Sequence, residues 1–121
     1  MFLELSHTKL DAFIVSKKFV LSCYKETKAL PTEEKFGLTQ QIRRGALSVH
    51  LNVAEGCSRK SLAERKRFYE IARGSVIEID AALDIANNLQ YLKTINTIDL
   101  EKAIVDCFRL LTGLIKSPSK H

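Results

Sequence analysis

The sequence predicts an all-α protein: an up-down-up-down four-helix bundle, with residues 1–121 forming a single domain. Three observations predict it. Apolar residues recur at steps of three and four in four separate segments, the spacing of one face of an α-helix. Only two prolines and five glycines interrupt 121 residues, too few for a turn-rich β fold. The connections between the periodic segments are short, which makes consecutive helices antiparallel neighbours. A chain of this length can close one core. Its composition, 45% apolar and 27% charged, is that of a globular protein in water.

The first helix is expected over roughly residues 8–29. Thr8 and Asp11, three apart, make a weak capping box. Leu10, Phe13, Val20, Cys23 and Tyr24 form an apolar face that Ile14, Phe19 and Leu21 widen. Pro31 stops it, because proline disfavours the helical conformation in the residue before it and has no backbone N–H to donate. The second helix is expected over 32–56. Thr32 is placed to cap it, and Glu33 and Glu34 suit the positive end of its dipole. Leu38, Ile42, Gly45, Val49, Val53 and Gly56 then step by 4, 3, 4, 4 and 3, and Gly56 reads as the glycine that ends the helix.

The third helix is expected over 61–91. Ser61-Leu62-Ala63-Glu64 is a full capping box. Leu62, Tyr69, Ala72, Val76, Ile79, Leu83 and Ala86 follow at heptad-like steps. The fourth is expected over 97–116, where Leu100, Ile104, Cys107, Leu111 and Leu114 form an a/d seam. Folding the second and third helices about Ser58 brings Gly45 and Gly74 to one height. Each glycine costs about 1 kcal/mol relative to alanine inside a helix, and close approach of the two backbones would offset that cost.

Charge is unevenly distributed. Residues 40–75 hold eight Lys and Arg against three Glu, which is the whole formal net charge of +5. Within this stretch Gln41, Arg44, Ser48, Asn52 and Glu55 form a polar stripe on the second helix. Hairpin geometry sets Glu70, Arg73 and Glu78 of the third helix against it. One reading is a half-buried network pairing Arg44 or Arg73 with Glu70 or Glu78, which fixes register; the other is a solvated face. Leu47, Leu51 and Ala54 give the second helix an apolar side beyond the one the core needs, which suggests a subunit interface.

Arg59, Lys60, Arg65, Lys66 and Arg67 cluster at the turn and the start of the third helix, and Arg43 could extend them. Cations there oppose the helix dipole, so another reason must place them. Phosphate binding is one such reason. With only Phe68 and Tyr69 nearby, base stacking is weakly served, and contact with the backbone of structured RNA or duplex DNA fits better. A solvated or salt-bridged turn is the alternative.

Catalytic signatures are missing. The single Glu-x-x-His, Glu4–His7, precedes the first helix and has no second copy, whereas a di-iron bundle needs paired motifs. His50 has no ligand partner one turn on. There is no nucleophile elbow, dinucleotide fingerprint or phosphate loop. The expectation is a protein that is not an enzyme, with no metal and no cofactor. Cys23, Cys57 and Cys107 show no Cys-x-x-Cys spacing and read as free thiols of a reducing compartment. The longest run without Asp, Glu, Lys or Arg, Gly45–Ala54, is ten residues, and a membrane helix needs about 20. The N-terminus lacks a secretion pattern, so the expected location is the cytoplasm, with no membrane partner.

Pro31, Glu34, Leu38, Gln41, Arg44, Ser48 and Asn52-Val53-Ala54-Glu55-Gly56, followed by Phe68, Ala72-Arg73-Gly74-Ser75, Glu78 and Tyr91, resemble a known pattern. It is that of the bacterial four-helix-bundle proteins encoded in intervening sequences of large-subunit ribosomal RNA genes. The accessory variability determinant protein of diversity-generating retroelements looks like a relative. The resemblance covers roughly Leu10 to Leu92; Val53 and His50 stand where similar proteins often carry Ile and Pro. It implies a ring-like homopentamer with a basic surface, nucleic-acid or ribonucleoprotein binding in some members, and no catalysis. The expected partners are other copies of the chain and RNA or DNA. The alternative is a protein-interaction scaffold whose basic surface meets an acidic or nucleic-acid-processing protein.

Overall fold

A computed structural model describes residues 1–6 and 10–117. It is a four-helix bundle of α1 (Asp11–Glu26), α2 (Leu38–Ser58), α3 (Leu62–Asn88) and α4 (Ile98–Lys116), with 3-10 turns at Thr27–Ala29 and Thr32–Glu34. Each helix packs on its sequence neighbours and α1 closes on α4; among the described residues no diagonal pair approaches closely. The pairings run in opposite directions along each neighbouring pair. Ser16 meets His50 while Tyr24 meets Arg43, and Gly45 meets Ile79 while Gly56 meets Tyr69. The bundle is therefore up-down-up-down. The core is built from Phe19, Ile42, Val49, Val53, Tyr69, Val76, Ile79 and Leu111, all essentially without solvent contact. No helix among the described residues is long and apolar enough to cross a membrane.

Where the helices depart from expectation, the reasons are local. The Thr8 cap lies outside the described residues. The buried stripe of α1 runs through Ala12, Phe13, Ser16, Phe19, Val20 and Cys23, leaving Leu10, Ile14 and Leu21 exposed. Hydrophobic pattern alone misses Ser16 because it is polar. The Ser16 hydroxyl donates to the Phe13 carbonyl, and this makes its burial tolerable. Thr32 does not cap α2. Residues 32–34 form a 3-10 turn, and the Glu34 carboxylate reaches forward to accept from the Leu38 N–H. At the far end, α3 stops at Asn88 rather than 91. The Gln90 N–H donates to the Asn87 carbonyl, the Tyr91 N–H donates to the Ala86 carbonyl, and Gln90 itself is left-handed at φ 68°. This is a Schellman ending in which glutamine holds the position glycine usually takes.

Gly56 does not end α2. It lies inside the helix, buried, and a Cβ on it would fall 2.8 Å from Tyr69 Cε1 and 3.1 Å from Phe68 Cβ. The helix runs two residues further, to Ser58, and the pivot of the hairpin moves with it. Gly45 therefore faces Ile79, whose Cγ1 would lie 2.9 Å from an added Cβ, and not Gly74. The expected pairing of the two glycines is corrected accordingly: a Cβ on Gly74 would meet nothing within 4 Å.

At the α1–α2 seam, the His50 ring packs on Phe13 with centroids 4.6 Å apart, and its Nδ1 lies 2.8 Å from Ser16 Oγ. Burial, and secondarily the Lys17 ammonium, hold the His50 pKa below its ordinary 6.5.

Two outcomes are expected. Gly56→Ala should lower stability by about 1–2 kcal/mol, since overpacking against a fixed ring outweighs the gain in helix propensity. Gly74→Ala should raise it by up to about 1 kcal/mol; urea unfolding of both variants measures the contrast. For His50, the unfolded chain takes up the proton first as pH falls. Its contribution to stability is full above pH 6.5 and declines below it. Unfolding midpoints across pH 5–8 should show that decline in the parent and a flatter profile in His50→Phe.

Candidate nucleic-acid interface

The turn between α2 and α3 has a fixed frame. Ser58 Oγ donates to the Glu55 carbonyl at 2.7 Å, and the Arg59 N–H donates to the Gly56 carbonyl. Ser61 Oγ accepts from the Glu64 N–H at 3.0 Å, capping α3. Into this frame the structure sets the five predicted cations in two groups.

Arg59 and Arg65 are built into the turn. Arg59 donates through Nη2 to Glu55 Oε2 at 2.9 Å, has Nη1 4.0 Å from Glu64 Oε2, and lies 5.1 Å from the Phe68 ring centroid. Its Nε is buried without a hydrogen-bond partner among the described residues. Arg65 Nε donates to the Arg59 carbonyl. These contacts explain why cations crowd the start of α3 against its dipole. The same space is the end of α2, where the exposed carbonyls and the negative dipole end favour them.

Lys60 and Arg67 are exposed and Lys66 is half-exposed. None of the three has an ion pair or hydrogen bond among the described residues. They are the cations of the turn whose charge is available to a ligand.

Arg43 does not extend the patch. It lies sixteen residues before Arg59, about 24 Å along the helix, and its side chain is committed to α1. Nε donates to Thr27 Oγ1 at 2.9 Å, Nη2 donates to the Tyr24 carbonyl at 3.1 Å, and the guanidinium lies over the Tyr24 ring at 4.9 Å. Thr27 Oγ1 in turn donates to the Cys23 carbonyl at 2.7 Å. Arg43 thus closes the C-terminus of α1.

The predicted polar network divides into separate pieces. Ser48 Oγ meets Ser75 Oγ at 3.1 Å across the α2–α3 seam, and Asn52 Nδ2 donates to the Ser48 carbonyl and hydroxyl. Glu55 turns to Arg59. Arg73 turns to α4: its Nε donates to Thr112 Oγ1 at 2.9 Å and its guanidinium stacks 4.4 Å from the Phe108 centroid. Gln41, Arg44, Glu70 and Glu78 are exposed. Among the described residues neither glutamate is ion-paired to Arg44 or Arg73. The expected pairing fails because the hairpin pivots beyond Ser58, so Ser75, five residues after Glu70, faces Ser48.

The cysteines are free. Burial pushes the Cys23 and Cys107 thiols up to about 12 and raises that of Cys57, which lies 3.5 Å from the Tyr69 hydroxyl. All three are thus protonated at neutral pH, the unreactive form. Among the described residues no cluster of three His, Cys, Asp or Glu could hold a metal ion.

Fold and turn define a class: an antiparallel four-helix bundle whose central hairpin ends in a cationic turn. Within that class, the family model described as 23S rRNA-intervening sequence protein matches residues 8–113, and the chain belongs to this family. No curated protein matches it in sequence.

Replacing Arg43 with alanine should cost about 1–3 kcal/mol in unfolding free energy, from two charge-assisted hydrogen bonds and a ring contact. Its effect on any nucleic-acid affinity at the turn should be small, and parallel urea titrations and binding titrations test both.

Proposed function

We propose that the protein is a non-enzymatic, homo-oligomeric bundle that binds structured RNA or duplex DNA at the α2–α3 turn. One observation carries the reading. Lys60, Lys66 and Arg67 lie at the turn end of the hairpin with no ion pair or hydrogen bond among the described residues, while Arg59 pairs with Glu55 and Arg65 holds the Arg59 carbonyl. Three unpaired cations on a rigid turn suit phosphate contacts, which give affinity without base recognition. The family's name ties its members to 23S ribosomal RNA intervening sequences, in keeping with a nucleic-acid setting. The exposure of Leu47 at 38% and Leu51 at 59% supports self-association.

Binding to a structured RNA or duplex DNA should weaken about 20-fold for a threefold rise in salt, the slope expected of three phosphate contacts. Changing Lys60, Lys66 and Arg67 together to Glu should abolish binding and leave helicity intact, whereas Arg43→Ala should bind as the parent does. Absence of binding at low salt, or a triple variant that binds as the parent, would overturn the reading; an electrophoretic shift assay decides. Binding of an acidic protein in place of nucleic acid at the same three residues would favour the scaffold alternative.

A further inference from the structure

The outward face of α1 carries a surface that neither the core nor the cationic turn uses. Residues 1–6 lie beside the helix, and the two bound a hollow of about 890 Å³. Leu3 and Leu5 line it from the segment; Phe13, Ile14, Leu21 and the Lys17–Lys18 pair line it from the helix. Phe13 is buried, but Leu3, Leu5, Ile14 and Leu21 are exposed, Leu3 by 66% and Leu21 by 60%. Single exposed apolar side chains are ordinary on a protein surface, whereas four around one hollow mark a contact site.

The helix sets the order of charges on this face. Ile14, Lys17, Lys18, Leu21 and Lys25 are exposed and fall within an arc of about 100° at 100° per residue. Lys17 lies to one side of the line from Ile14 to Leu21 and Lys18 to the other. None of the three lysines makes an ion pair or hydrogen bond among the described residues. Two acids touch the surface, Glu4 in the lining of the hollow and Asp11 at the first residue of the helix, so the cations are in excess.

We infer that this face is a docking groove for an acidic amphipathic helix of a partner protein. Ile14 and Leu21 are seven residues apart, about 10 Å along the axis, which matches apolar side chains two turns apart on a second helix. Carboxylates on both sides of that apolar row would meet Lys17 and Lys18, and one further along would meet Lys25. Sign and shape select this occupant. A nucleic acid would satisfy the lysines and leave the leucines uncovered. A basic helix would cover the leucines and set like charges against the lysines. A bilayer surface is flat on this scale and would bridge the hollow without filling it. An extended peptide needs a strand edge, and the elements of the described residues are helices and 3-10 turns.

The test uses the full chain and a fluorescein-labelled peptide of about 18 residues, with Leu along one helical face at steps of three and four and Glu on either side of it. Fluorescence anisotropy should show saturable binding. Leu21→Glu, and Lys17→Glu combined with Lys18→Glu, should each weaken binding about tenfold. Arg44→Glu, a change of sign on α2, should bind as the parent does, and circular dichroism checks that every variant stays helical. The same peptide with Lys in place of Glu should not bind. A Leu-and-Glu peptide that fails to bind the parent, or that binds the Leu21 and Lys17–Lys18 variants equally well, overturns the assignment. So does a Leu21→Glu chain that sediments as a smaller oligomer than the parent, since the face would then be a contact between copies. Tighter binding to phosphatidylserine vesicles than to the peptide, lost in the same variants, overturns it in favour of a membrane surface.

Discussion

Gly56 has no side chain, and Phe68 and Tyr69 occupy the space one would fill. Much of the bundle's geometry depends on that contact. It lets the end of α2 lie against the first turns of α3, with the Tyr69 ring buried and its hydroxyl beside Cys57. It also keeps α2 helical to Ser58, so the hairpin pivots around residues 59–61. The pivot sets the register of α3 on α2, and the register decides the rest. Ser48 meets Ser75, Gly45 admits Ile79, and Arg73 is carried round to Phe108 and Thr112 on α4. Moving the pivot two or three residues earlier would set charged Glu70 where Ser75 now sits.

The cations of the central stretch divide by the chemistry of what lies beside them. Helix C-termini expose carbonyls and carry a negative dipole end, and arginine offers several donors in a planar fork. Arg43 serves the end of α1 through Tyr24 and Thr27, and Arg65 serves the end of α2 through the Arg59 carbonyl. Arg73 stacks on an aromatic ring instead. Lys60, Lys66 and Arg67 take no such role: none makes a hydrogen bond or ion pair among the described residues. What looked in sequence like one basic patch of six residues is three structural arginines and three available charges.

Much of the fold was legible because the signals that fix it are local. Four apolar periodicities, the Ser61–Glu64 cap and Pro31 placed the helix ends to within three residues, except the start of α2, which lies at Leu38, six residues after the expected 32, because residues 32–34 form a 3-10 turn. The pattern failed where a polar side chain is buried with its own partner, as at Ser16 and Thr27, and where a terminus is set by a contact distant in sequence. Gly56 has the composition of a helix end, and only Tyr69, thirteen residues on, makes it a helix interior. Gln90 ends α3 in a conformation that no propensity for glutamine announces. The candidate site was legible as a count of charges but not as a surface, since the partners of Arg43 and Arg73 come from α1 and α4. Sequence spacing within one hairpin cannot supply them.

Three available cations per chain make a thin basis for binding a polyanion. Each phosphate contact is weakened by salt, and nothing in the turn adds stacking or base recognition. The proposed self-association bears on this directly: if copies assemble so that their turns lie near one another, a contact made by one turn would raise the effective concentration of the next, and affinity would grow by multivalency without any new chemistry in the single chain.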